Sequence, residues 1–355
     1  MTDVAPFRAV RYAQPGRGVV APPYDVVSPQ EREELAGRDP HNVVRLTLND
    51  SPEEAGRLFR EWLAEGVLVR EAEPAVWALS QEYIGPDGRA RTRTGIVASL
   101  RAEPYETRAV LPHERTHAGP KEGRLRLLRA ARAQVEPIFL LYEGDPPFGA
   151  PGRDPDIDVE GTRLWRLPGD NGTSGFFSDR QLLIADGHHR YETALAYAAE
   201  SGRPVRLPVV LVSTSDPGLE IFPTHRLFAG RPDVAPVGET VSSADALNVL
   251  EDEPYDRSAA VAYRPGEATL VRGEAGELDV ELVDRLGHDG ISYTPDWRDA
   301  VRRVDAGEAD IAFLLRPTRI QDVFDRARAG QVMPQKTTYF FPKLLSGLLF
   351  HPLDP

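Results

Sequence analysis

The residues with the most chemical content in this 355-residue chain form one run, Asp186-Gly187-His188-His189-Arg190. It follows the apolar stretch Leu182 to Ala185 and precedes Tyr191, Ala194, Leu195 and Ala198 at helical spacing. The pattern predicts a buried strand that turns at Gly187 into a helix. Such a turn presents free backbone N–H groups at the positive end of the helix dipole. Glycine lets an anion approach the backbone closely. Two histidines and an arginine add donors, so the chemistry is that of a phosphate or carboxylate site. The plainer alternative is that Asp186 caps the helix and the histidines face solvent.

A second polar run, His113-Glu114-Arg115-Thr116-His117, leads through Lys121 into an amphipathic stretch with Leu125, Leu128 and Ala131. Lys121 and Arg124 are three apart and share a helix face. His113, Glu114 and His117 suit acid, base or metal-ligand roles. The His-Glu-x-x-His zinc motif needs both histidines on one helical face; here the segment reads as loop. Contacts to substrate or phosphate are the better reading, with a metal as the alternative. Thr224-His225-Arg226, between apolar flanks, reads as site residues or as a satisfied structural histidine. In Pro22-Pro23-Tyr24-Asp25 the prolines stiffen a turn, and Asp25 is a candidate general base or a turn acceptor. Lys336-Thr337-Thr338 suits phosphate but lacks the glycine-rich frame of a P-loop. Only three of 42 basic residues are lysines, Lys121, Lys336 and Lys343. In so arginine-rich a chain a retained lysine suggests a place where a point charge is preferred to a planar fork, with chance as the alternative for so few residues.

The net charge is −13 and there is no cysteine. Thiolate chemistry and disulfides are thereby excluded, and a reducing, cytoplasmic setting is expected. No dense basic run offsets the acidic balance, so nucleic acid is not expected as a partner. No signal peptide or bilayer-spanning run is evident, and no membrane partner is expected. A small anionic metabolite fits basic islands in an acidic chain, because such islands focus the field on a small ligand.

The elements that must position these residues are partly marked. Ser28-Pro29-Gln30-Glu31 and Ser51-Pro52-Glu53-Glu54 are helix starts of the capping-box kind. The second opens a helix with Leu58, Phe59, Trp62 and Leu63 on one face. Further helices are expected from Thr294 and over Arg319 to Ala329. Strands are expected at 43–48, 75–81, 94–100, 138–141, 181–185 and 207–212, with others at 260–263, 268–271 and 311–315. Residues 144–178 read as a loop or insertion. Mixing without strict alternation predicts an α+β fold.

Several segments resemble the bacterial and archaeal family called domain of unknown function 1015. They are Pro22 to Val26, Asn42 to Thr47, His113 to Thr116 with Gly119 to Glu122, Ile184 to Ala194, Phe222 to Arg226, and Phe341 to Gly347. The Asp186 to Arg190 run also resembles, more remotely, the phosphate-binding turn of the ParB/sulfiredoxin superfamily. That group includes chromosome-partitioning CTPases, sulfiredoxin and free serine kinases. The resemblance implies that Gly187, His189 and Arg190 hold phosphate. Sulfiredoxin chemistry needs a cysteine and partitioning needs a basic surface, so the serine-kinase branch fits best.

The expectation is a ParB/sulfiredoxin-like mixed-sheet core over residues 1–235, with helical additions and an insertion near 144–178. A C-terminal α/β extension over 236–355 would return Lys336 and Lys343 toward the cleft. The expected activity is phosphoryl transfer to a small metabolite, with serine or phosphoserine as substrate, a nucleotide (ATP or ADP) and Mg2+. Asp186, Gly187, His188, His189, Arg190, His113, Arg115, Lys121, Arg124, His225, Arg226 and Lys336 are the expected ligand contacts. Asp25, Glu114 and His189 are the expected catalytic groups. A metal-dependent phosphatase using His113 and His117, and a regulatory module that binds nucleotide without turnover, are the alternatives.

Overall fold

Two compact units build the chain in the computed structural model, which describes residues 1–114 and 119–353, with 119–121 as backbone alone. The first unit comprises residues 1–83, 90–219 and 342–355, the second 84–89 and 220–341. The division falls at 219/220, not near 235, and the last segment belongs to the first unit.

The first unit carries a nine-stranded mixed sheet. Its strands are β1 (Val4–Ala5), β2 (Ala75–Ile84), β3 (Ala90–Arg101), β4 (Val110–Leu111), β5 (Ile138–Tyr142), β6 (Ile157–Val159), β7 (Thr162–Pro168), β8 (Leu182–Asp186) and β9 (Arg206–Ser213). Their order is β4-β8-β5-β9-β3-β2-β7-β6, with β1 on β3. The pairs β8–β4 and β9–β5 are parallel, whereas β8–β5 and β9–β3 are antiparallel. Helices α1 (Pro29–Arg38), α2 (Val44–Thr47), α3 (Pro52–Ala64), α4 (Gly119–Ala131), α5 (Thr173–Phe177) and α6 (His188–Ser201) belong to the same unit, as do two short antiparallel pairs, Val10–Tyr12 with Leu68–Arg70 and Ala133–Gln134 with His351–Pro352. Apolar residues from β3, β5, β8 and β9 form one core with Tyr191 and Ala194 of α6. That burial fixes how the start of α6 meets the end of β8.

Both marked helix starts are present. Ser28 accepts from the Glu31 amide and its own amide donates to Glu31, closing a capping box. Ser51 caps α3 through the Glu54 amide at 3.2 Å. The strand expected at 43–48 is instead α2. Asn42 explains this: its Nδ2 donates to the carbonyls of Gly18 and Val20, and its Oδ1 accepts from the Val44 amide at 3.0 Å. Residues 144–178 hold β6, β7 and α5, and β7 pairs along its length with β2, so the segment is part of the sheet.

The second unit has a six-stranded antiparallel sheet in the order Glu239–Val241, Glu267–Ala275, Arg257–Arg264, Ile311–Leu314, His225–Phe228 and Ile291–Thr294. The helix expected from Thr294 begins at Trp297, capped by Asp296, because Thr294 ends a strand. No helix among the described residues is long and apolar enough to cross a membrane.

Candidate functional site

The run from Leu182 to Arg190 folds as strand, turn and helix. A bulge at Ala185 shifts the register between Ile184 and Asp186, so that Asp186 pairs with Phe139 of β5. Such a bulge re-aims the side chains that follow it. Gly187 then takes φ +98°, and a Cβ there would lie 2.7 Å from Cγ2 of Ile138. Glycine is therefore required twice over, for backbone and for space. No side chain caps the N-terminus of α6.

Asp186 is the hub. Its Oδ2 accepts from Nη2 of Arg190 at 2.6 Å, and its Oδ1 pairs with Nζ of Lys343. Burial alone would raise the Asp186 carboxyl, but Lys343 and Arg190 overcome this and hold it down to about 2. Arg190 also donates to the Pro137 carbonyl. Burial works against its charge, yet Asp186, Glu136 and Asp25 keep it firmly protonated. The Arg190 side chain thus braces the turn from within.

Two histidines pack under the turn with ring centres 4.7 Å apart. His113, fully buried, bonds through Nδ1 to the Ile184 carbonyl at 2.6 Å. Its backbone amide donates to Nε2 of His188 at 3.4 Å, which places the proton of neutral His188 on Nδ1. Burial pushes His113 down to about 4 and His188 well below its usual range. Both rings are neutral near pH 7. The ionised groups bonded to one another at the turn are then Asp186, Lys343 and Arg190, with the carboxylates of Glu136 and Asp25 also acting on Arg190.

A second cluster adjoins Arg190. The buried carboxylate of Glu136 accepts from the Tyr24 amide at 3.1 Å and from Ser346 Oγ at 2.8 Å, with Nη1 of Arg124 at 3.5 Å. The Arg124 guanidinium lies 3.5 Å over the Tyr24 ring. Burial is the main reason that the Tyr24 hydroxyl is raised. Arg124, Glu136, Arg190 and Thr193 line a small cavity of about 20 Å³.

The structure therefore brings together Asp186, Gly187, His188, His189, Arg190, His113 and Arg124. Asp25 is exposed on the turn beside Tyr24, His189 is half-buried, and Glu114 is half-buried just after His113. Arg115 and His117 lie outside the described residues, as does the side chain of Lys121 on α4. His225, Arg226 and Lys336 belong to the second unit. There His225 accepts the Leu315 amide at 3.1 Å, and fully buried Arg226 bonds Asp284 and the carbonyls of Thr224 and Gln335. Those bonds serve the fold of that unit. Lys336 is exposed at φ +57°. Glu136 was not foreseen, because a glutamate between Val135 and Pro137 carries no mark of burial. Among the described residues, no group of three or more His, Asp or Glu could hold a metal ion.

Fold and site define a mixed-sheet protein with a glycine-opened helix start set beside paired cations. Residues 4–281 match the family described as Protein of unknown function (DUF1015), and the chain belongs to that family. It is similar to an ATP-dependent L-serine kinase from Staphylothermus marinus, 23% identical over 186 residues, covering 49% of this chain and 72% of the relative. Among solved structures it is similar to a free serine kinase in complex with AMP, at 17% identity and a TM-score of 0.40, covering 69% of this chain and 86% of that one. SbnI from Staphylococcus aureus, truncated at its C-terminus, gives 13% identity and a TM-score of 0.41, covering 72% and 87%.

Proposed function

We propose that this protein transfers a phosphoryl group between a nucleotide, ATP or ADP, and a small hydroxyl-bearing metabolite, with serine or phosphoserine as the leading substrate. The observation that carries the reading is the uncapped start of α6, opened by Gly187 and set beside Lys343 and Arg190. The amides of residues 188–190 and the half-buried His189 would receive phosphate oxygens, and the positive end of the α6 dipole with Lys343 would stabilise them. Arg190 would act through the turn it braces, since its guanidinium is turned toward Asp186 and Pro137. The sequence similarity to an ATP-dependent L-serine kinase supports the substrate class.

In this scheme the acceptor oxygen forms a bond to the terminal phosphorus of the nucleotide. The bond from that phosphorus to the bridging oxygen breaks, and the shortened nucleotide leaves. The hydroxyl proton passes to a carboxylate, for which Asp25 and Glu114 are the candidates. Both Asp186 oxygens are already bonded, so Mg2+ would be held chiefly by the phosphates it neutralises. Incubation with ATP or ADP, Mg2+ and L-serine, followed by 31P NMR, tests the reading. A phosphomonoester signal matching O-phosphoserine is expected. Its absence with both donors, in protein that binds nucleotide, would remove serine from the proposal.

A further inference from the structure

A fully buried arginine outside the turn holds together the two elements that carry Asp186 and Lys343. Arg93 sits on β3 with no exposed surface. Its Nη2 donates to the Pro342 carbonyl at 2.8 Å, one residue before Lys343. Nη2 and Nε also donate to Oε1 of Gln81, at 2.6 and 3.2 Å. Its guanidinium carbon stands 4.6 Å from the centre of the Phe139 ring. Phe139 is the cross-strand partner of Asp186. Burial lowers Arg93 to about 10, which leaves it charged at neutral pH.

A buried charge with no structural task is costly. The bonds of Arg93 named above go to Oε1 of Gln81 and to the Pro342 carbonyl, and a planar fork suits them: one edge reaches Gln81 and Pro342 while the face lies on Phe139. A lysine, a single point charge, cannot do both. We infer that Arg93 is a positioning residue that sets Lys343 against Asp186, through the Pro342 carbonyl on one side and the Phe139 ring on the other. This concerns the same site as the phosphoryl-transfer reading, but it is testable without nucleotide or turnover.

The chain has three lysines, so trace acetylation with acetic anhydride, read by peptide mass spectrometry, resolves each amine. Exposed Lys336 is the internal standard. In Arg93→Met, labelling of Lys343 relative to Lys336 should rise about fivefold or more, equivalent to about 1 kcal/mol in the pairing equilibrium. Arg93→Lys should behave like Arg93→Met, because charge without the fork does not restore the geometry. Should Arg93→Met fail to fold, Phe139→Leu removes the ring beneath the guanidinium and should raise the same ratio about twofold. An unchanged ratio in folded Arg93→Met or Phe139→Leu would overturn the inference, as would a wild-type ratio in Arg93→Lys. A changed ratio in protein that binds no nucleotide would leave the inference standing and sink the phosphoryl-transfer reading instead.

Discussion

The sharpest structural prediction concerns Gly187→Ala. The residue has φ +98° and ψ +27°, where an L side chain costs about 1–2 kcal/mol. The new Cβ would lie 2.7 Å from Cγ2 of Ile138 and 3.1 Å from Cζ and Nε of Arg190. Ile138 is fully buried in β5 and Arg190 is tied to Asp186, so neither steps aside freely. Overpacking of that kind costs about 1–3 kcal/mol. Reduced freedom of the unfolded chain returns about 0.4–1 kcal/mol. The net expectation is a loss of about 1–5 kcal/mol, read from urea unfolding. Ile138→Ala removes Cγ2, so in that background the Gly187→Ala penalty should shrink by about 1–2 kcal/mol, as the Ile138 overlap disappears while the Arg190 contact remains. Ile138→Val keeps both branches on Cβ and should leave the penalty unchanged. A Gly187→Ala protein within about 0.5 kcal/mol of wild type would mean that the turn tolerates a Cβ, and additivity in the Ile138→Ala background would mean that Ile138 is not what the Cβ meets.

Acid should destabilise the fold well above the carboxylate range. His113, His225 and His351 are held near 4 by burial, and His188 lies well below its usual range. Their folded values are depressed, so between about 6.5 and 4 the unfolded chain binds protons that the folded chain does not. Stability should be full above about pH 6.5 and fall as pH drops, with a slope of up to about 1.4 kcal/mol per pH unit for each histidine. Asp186 adds its own loss only below about 3.8, as pH falls toward about 2. Urea unfolding at pH 7.5 and 5.0 reads the effect; a flat profile contradicts it, and His225→Gln should reduce the slope. Glu136→Gln should cost about 1–3 kcal/mol, because Arg124 loses its carboxylate while Tyr24 and Ser346 keep an acceptor. A wild-type urea midpoint in that variant would mean that Glu136 is not the anchor of its cluster.

Local signals were legible where a few adjacent residues decide the outcome. The serines and prolines at 28–29 and 51–52 set two helix starts, and Gly187 marked the turn after β8. The Asn42 to Leu48 segment misled because its apolar alternation suits a strand, while the deciding bonds run back to Gly18 and Val20. Residues 144–178 looked irregular because their glycines and prolines mask short strands, yet Trp165 anchors β7 through the Arg153 carbonyl at 2.8 Å. In the site, the Asp186 to Arg190 run and Lys343 stood out by residue type. Arg190 was legible as a site residue but its direction was not: the bond to Asp186 within one helical turn competes with any ligand. Glu136 and Arg93 were invisible, since their partners come from distant parts of the chain, residues 24, 124 and 346 for one and 81, 139 and 342 for the other.

If the start of α6 with Lys343 receives the phosphates of a nucleotide, calorimetric titration with ADP in the presence of Mg2+ will show it. Wild type should show saturable binding. Lys343→Met leaves Asp186 paired with Arg190, so the protein should remain folded while affinity falls about tenfold or more. Absence of saturable binding to wild type, or equal affinity in the folded variant, would contradict the account.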